Sequence, residues 1–175
     1  LYVTLEPCST FGRTPPCTDL IIRSGIRRVV TAIPDPNPRH RGRGLRLLKK
    51  AGISVCEGVR RADATRLIAP FAKWITTGRP YVTLKLGISI DGRIADAAGR
   101  SKWITGEQSR RYVRDMRGRA DAVIVGGTTA RVDNPSLLCK TDRRHILFRV
   151  IVDSRGQLPL TSRALNDGHA QQTII

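Results

Sequence analysis

From Leu1 to about Trp74, short apolar runs alternate with helix-forming segments, and few folds accommodate that rhythm. Leu1 to Leu5 reads as a strand and about Thr18 to Ser24 as a helix stopped by Gly25. Arg28 to Ile33 reads as a second strand, Gly44 to Ala51 as a basic helix ending at Gly52, and Ile53 to Cys56 as a third strand. Arg61 to Ile75 has the pattern of a helix that Pro70 is placed to kink. Strands separated by helices favour parallel pairing, so the order predicts an α/β fold.

Thr76-Thr77-Gly78-Arg79-Pro80 interrupts this pattern with turn formers and marks a boundary between two segments. Beyond it, Tyr81 to Ser89 alternates with period two and is expected to be a strand, turned by Asp91-Gly92-Arg93. Thr105 and Gln108 are spaced as a capping box for a helix to about Arg117. Ala122 to Val125 is a buried type of strand, Phe148 to Asp153 another, and Thr173-Ile174-Ile175 reads like the middle of a third.

The chain has 175 residues, 40% of them hydrophobic, enough for one full domain or two partial ones, and the break at 76–80 favours two. No apolar run approaches the length of a membrane span, and no charged start precedes an apolar stretch as in a secretory signal, so a cytoplasmic location without membrane partners is expected. Lys and Arg number 31 against 14 Asp and Glu, a net charge of +17 that attracts phosphate in any form. Aromatic residues make up only 5%, which weighs against a single-stranded nucleic-acid surface, where stacking platforms interleave with the basic residues.

Cys8 and Cys17 each follow a proline directly, with eight residues between them. A Pro-Cys step ending an apolar strand, with a second Cys opening a helix, has the form of half a deaminase-type zinc site. A helix N-terminus lowers a thiol pKa, and zinc takes up thiolate. Two small core thiols are the other reading of the same residues, as for Cys56 and Cys139. Neither a third ligand nor a His-x-Glu motif follows from the sequence, since His40, His145 and His169 all lie in polar or Arg-rich surroundings.

Asp35-Pro36-Asn37-Pro38 sits at the C-terminal end of a strand, where open α/β sheets bind ligands, although an ordinary turn has the same composition. Arg39, Arg41, Arg43, Arg46, Lys49 and Lys50 form either a solvated helix face or a phosphate contact. Gly126-Gly127-Thr128-Thr129 after a strand is either a tight turn or a phosphate cradle at a helix start.

Thr4-Leu5-Glu6-Pro7-Cys8, Gly12-Arg13-Thr14-Pro15-Pro16-Cys17, Asp35-Pro36-Asn37-Pro38, Leu84-Lys85-Leu86, Asp91-Gly92-Arg93, Trp103-Ile104-Thr105 and Asp133-Asn134-Pro135-Ser136-Leu137 occur in that order. Together they closely resemble the bifunctional riboflavin biosynthesis deaminase/reductase family over nearly the whole chain. The resemblance implies part of a cytidine-deaminase-like three-layer α/β/α domain over 1–76, a linker at 77–80, and part of a dihydrofolate-reductase-like α/β domain over 81–175. It also implies a chain that starts after the family's His-x-Glu segment, leaving the proton-shuttling Glu outside, and that stops short of its Gly-rich C-terminal cofactor segment.

The same resemblance implies zinc held by Cys8 and Cys17. It places Arg13, Thr14, Asp35 and Asn37 around a phosphorylated pyrimidine ribosylamine. In the second segment it assigns Lys85, Ser101, Arg117, Leu137 and Lys140 to the substrate, and Gly87, Trp103, Thr129, Asp133 and Ser154 to NADPH. A homo-oligomer that binds no nucleic acid is expected. Thr10 stands where the family usually has His, and Lys140 where Arg is common; a Lys meets phosphate as a point charge without the bidentate fork. Glu6, two residues before a ligand on a strand, is not expected to be an acid or base. A nucleic-acid base deaminase would instead show Pro-Cys-x-x-Cys and stacking aromatics. A non-enzymatic zinc or RNA-binding module would carry a complete ligand set.

Overall fold

Parallel pairing organises both halves of the chain. The computed structural model describes residues 1–139 and 146–175, and these divide into two units, Leu1–Leu84 and Lys85–Ile175. Both are mixed α/β.

In the first unit the elements run β1 (Tyr2–Leu5), α1 (Cys17–Arg23), β2 (Arg28–Ile33), α2 (Arg43–Lys50), β3 (Ser54–Glu57), α3 (Arg61–Leu67) and α4 (Ala69–Thr77). The strands form a parallel sheet in the order β1-β2-β3, with Val3 beside Thr31 and Val29 beside Val55. β2 is the central strand, and everything in it after Arg28 is buried, as a strand covered on both faces requires. Ile21 of α1 and Leu48 of α2 close over Val29, while Ala64 of α3 packs with Ala32 and Ile33. Val29 and Ala32 stand three positions apart and so point to opposite faces, which gives the sheet helical cover on both.

The single helix expected over Arg61 to Ile75 is two helices. Pro70 lies in the first turn of α4, where its missing N–H costs nothing, and the chain breaks just before it at Ile68.

The second unit contains α5 (Glu107–Arg117), β4 (Ala122–Gly126), α6 (Gly127–Asp133), β5 (Phe148–Val152), the short α7 (Arg163–Asn166), a 3₁₀ turn (Ala170–Gln172) and β6 (Thr173–Ile174). Its sheet is parallel in the order β4-β5-β6. Ala130, Ile151 and Ala164 form its small core, with Val125 and Leu158 against it.

Two expectations fail here. Tyr81 to Ser89 is not a strand: it has the alternation but pairs with no strand among the described residues, and Val82 and Leu84 are each more than 80% exposed. The capping box is also absent. Gly106 is the N-cap of α5, in extended conformation and without a side-chain cap, because the helix begins at Glu107, too late for Thr105 to cap it.

Among the described residues no helix is long and apolar enough to cross a membrane.

Candidate functional site

Several polar contacts gather where the chain leaves β1. The strand delivers Cys8, and α1 starts at Cys17 so that its first amides turn back: Cys17 N–H donates to Cys8 Sγ at 3.2 Å and Thr18 N–H to the Cys8 carbonyl at 3.1 Å. The two cysteines are therefore brought together, as their spacing requires of a shared site. An N–H directed at sulfur stabilises a thiolate. Among the described residues no group of three or more His, Cys, Asp or Glu side chains is close enough to hold a metal ion. The expected lowering of a helix-start thiol is reversed. Cys17 is pushed above its ordinary value, first because its thiol hydrogen-bonds to Cys8 and then by burial.

Arg13 and Thr14 lie exposed in the loop between the two cysteines. Asp35 and Asn37 are half-buried and shape their own turn: Asp35 Oδ1 accepts from Asn37 N–H at 2.8 Å, and Asn37 Oδ1 from Arg39 N–H at 3.0 Å. Thr10 Oγ1 lies 3.4 Å from His40 Nδ1, which joins the Cys8 loop to this turn. Glu6, which sequence reasoning set aside as an acid or base, is 4% exposed and accepts four backbone N–H bonds. Its partners lie 29 to 39 residues away, so no local sequence signal could have revealed them.

In the second unit Ser101 and Asp133 come together, with Ser101 Oγ donating to Asp133 Oδ1 at 3.5 Å. Lys102, not foreseen, reaches the carbonyl of Asp133 at 3.4 Å and its carboxylate at 3.6 Å. Trp103 is exposed, and the Arg110 guanidinium stacks 4.3 Å from its ring centroid. Lys85 Nζ lies against Gly87, where an added Cβ would come within 3.3 Å of it. Arg117 is half-buried, and burial followed by repulsion from Arg114 draws its guanidinium below the ordinary value. Leu137 is buried in a left-handed conformation (φ 57°). Lys140 lies outside the described residues.

Thr129 and Ser154 are both exposed, on α6 and in the turn after β5. The space beside Gly127 belongs to Asp153: a Cβ there would sit 2.8 Å from Asp153 Oδ1. That carboxylate is 3% exposed, ion-paired to Arg131 at 3.2 Å and bonded to Leu158 N–H at 2.7 Å. Gly127 is thus required by a close approach of protein to protein, which the motif alone did not distinguish from a phosphate cradle.

Residues 80–175 match the family model described as the RibD C-terminal domain. The chain belongs to the RibD family. It is 46% identical over 178 residues to the riboflavin biosynthesis protein RibD of Aquifex aeolicus, covering 100% of this chain and 49% of that protein. It is also 46% identical over 176 residues to RibD of Bacillus amyloliquefaciens, covering 100% of this chain and 47% of that protein. Among solved structures, Acinetobacter baumannii RibD aligns with a TM-score of 0.81 at 43% identity, covering 98% of this chain and 49% of that one. A Thermotoga maritima protein described as a diaminohydroxyphosphoribosylaminopyrimidine deaminase/5-amino-6-(5-phosphoribosylamino)uracil reductase aligns with a TM-score of 0.83 at 44% identity, covering 95% of this chain and 47% of that one. The chain spans about half the length of the curated relatives it matches.

Proposed function

We propose that this chain is part of a two-step enzyme of riboflavin biosynthesis, a zinc-dependent deaminase over 1–76 joined by 77–80 to an NADPH-dependent reductase over 81–175. The first step is hydrolytic removal of the amine of 2,5-diamino-6-ribosylamino-4(3H)-pyrimidinone 5′-phosphate, and the second is reduction of its ribosyl side chain to ribityl. Membership of the RibD family supports the reductase half most directly, through the match over 80–175. For the deaminase half, the observation that carries the reading is the folding of Cys17 onto Cys8, with an amide N–H 3.2 Å from sulfur.

Cys8 and Cys17 would hold zinc, which when bound would polarise a water for attack on the ring carbon bearing the amine. Arg13 and Thr14, exposed in the loop between those ligands, and Asp35 and Asn37 would together hold the pyrimidine and its phosphoribosyl group. In the second unit Asp133 is the common partner of Ser101 and Lys102, so the group assigned to the cofactor and the one assigned to the substrate share a hydrogen bond. NADPH when bound would supply the hydride; the work left to this chain is to hold the two reactants in line. Trp103 offers an exposed ring, with Arg110 already on it, and Thr129 in the first turn of α6 and Ser154 in the turn after β5 carry exposed hydroxyl side chains.

The test uses the longer protein. It should release ammonia from the diaminopyrimidine phosphate and consume NADPH, and replacing both Cys8 and Cys17 by Ser should remove zinc and ammonia release while NADPH consumption on the deaminated pyrimidine continues. Full zinc content in the double variant would overturn the assignment.

A further inference from the structure

Glu6 Oε2 accepts N–H bonds from Asp35 at 2.9 Å and Gly42 at 2.8 Å, and these are the two ends of one loop. Its Oε1 accepts from Gly44 at 2.9 Å and Leu45 at 3.4 Å, in the first turn of α2. The Glu6 amide itself donates to the Ile33 carbonyl at 3.0 Å, which extends the β1–β2 ladder by one residue. A single buried carboxylate therefore joins the strand that carries Cys8, the base of the 35–42 loop and the start of α2. Gly44 is so close to this junction that a Cβ on it would lie 2.0 Å from the Pro7 carbonyl oxygen.

Resting on the deaminase reading of this unit, we infer that Glu6 is a positioning residue for the pyrimidine: it closes the 35–42 loop at its base and so fixes Asp35 and Asn37 relative to the Cys8 ligand. A carboxylate suits the task because it offers acceptors on both oxygens and no donor. Glutamine has nearly the same shape but must turn its NH2 toward one of the two pairs of N–H groups. If it faces Asp35 and Gly42, the loop opens; if it faces Gly44 and Leu45, the helix start is displaced and carries Gly42 with it. Cys8 lies outside both arms, held by the amides of α1.

The experiment compares wild type and Glu6→Gln in the longer protein, with three readouts: KM for the diaminopyrimidine phosphate, zinc content, and the NADPH-dependent rate on the deaminated pyrimidine. The expected result is a KM raised roughly tenfold or more, with zinc and the reductase rate unchanged, and partial recovery of KM in Glu6→Asp. An unchanged KM overturns the inference. Loss of zinc in step with activity also overturns it, because Glu6 would then hold the ligands rather than the loop. A parallel fall of the reductase rate marks a general loss of fold, and the decision then rests on amide exchange in the wild type.

Amide exchange on the wild type keeps the inference falsifiable if the variant does not fold. The N–H groups of Asp35, Gly42 and Gly44 should exchange far more slowly than that of exposed Arg13, and equal rates would sink it. Absence of ammonia release by wild type would remove the deaminase reading, while the loop closure would still stand or fall on amide protection.

Discussion

The most demanding residue in the chain is Arg149, whose side chain is wholly buried on strand β5. It forms a two-pronged pair with Asp167 at 2.6 and 3.0 Å and donates to the carbonyls of Ser136, Ala164 and His169. The guanidinium thereby ties α6's following loop, α7 and the 3₁₀ turn to the sheet. Ser136, whose carbonyl it holds, directly precedes the left-handed backbone of Leu137. Asp167 is itself partly open to solvent and Arg149 keeps its three carbonyl partners, so Asp167→Asn, which weakens one partner of a buried guanidinium, should destabilise the second unit by about 1–3 kcal/mol, measurable by chemical denaturation. The hydrogen bonds from Arg149 hold the Asp167 carboxyl below its ordinary value of 3.8. A depressed folded pKa contributes stability that is present above the unfolded value and lost as pH falls through the folded one, so this contribution should be intact at neutral pH, begin to fall as the pH drops past 3.8 and be gone only below the lower folded value. In Asp167→Asn that acid-side loss should be missing.

Neither Arg149 nor Glu6 could be assigned from sequence, for one physical reason. A buried charge is defined by partners, and those of Arg149 lie 13 to 20 positions away in other elements. That Cys8 and Cys17 come together was legible because the approach is local, between a strand end and a helix start nine positions apart.

At the scale of elements, strands and helices were legible wherever packing enforced the pattern. β2 runs over Arg28–Ile33, as its apolar run predicts, and α2 begins within one residue of its predicted start. Tyr81 to Ser89 was misread because alternation records a half-buried face, not the neighbour that completes a ladder. α2 also illustrates how one glycine fixes an element's place. Its first turn passes so near β1 that any side chain at Gly44 meets the Pro7 carbonyl. Gly44→Ala should therefore push α2 outward and lower stability by about 1–3 kcal/mol, as over-packing does, despite alanine's better helix propensity. A helix-stabilising outcome in thermal unfolding would show that the junction yields. Gly12, with nothing within 4 Å of an added Cβ, is the matched control and should tolerate alanine.

At the scale of the whole molecule the dominant quantity is charge. Lys and Arg exceed Asp and Glu by 17, and many of these cations are on exposed faces such as that of α5. Such a field raises the local concentration of phosphorylated ligands and is screened within roughly 8–10 Å at physiological salt. It chooses no ligand by itself. On the proposed reductase reading, the two nicotinamide cofactors differ by one phosphate, so the field separates them. In the longer protein at low ionic strength, NADPH should bind about tenfold or more tighter than NADH, equivalent to about 1.4 kcal/mol, and the gap should narrow as salt is added because NADPH has more charge to screen. Fluorescence titrations with both cofactors across a salt series measure this directly. Equal affinities at low salt would refute the preference, and a preference untouched by salt would assign it to short-range contacts instead of to the basic charge of the chain.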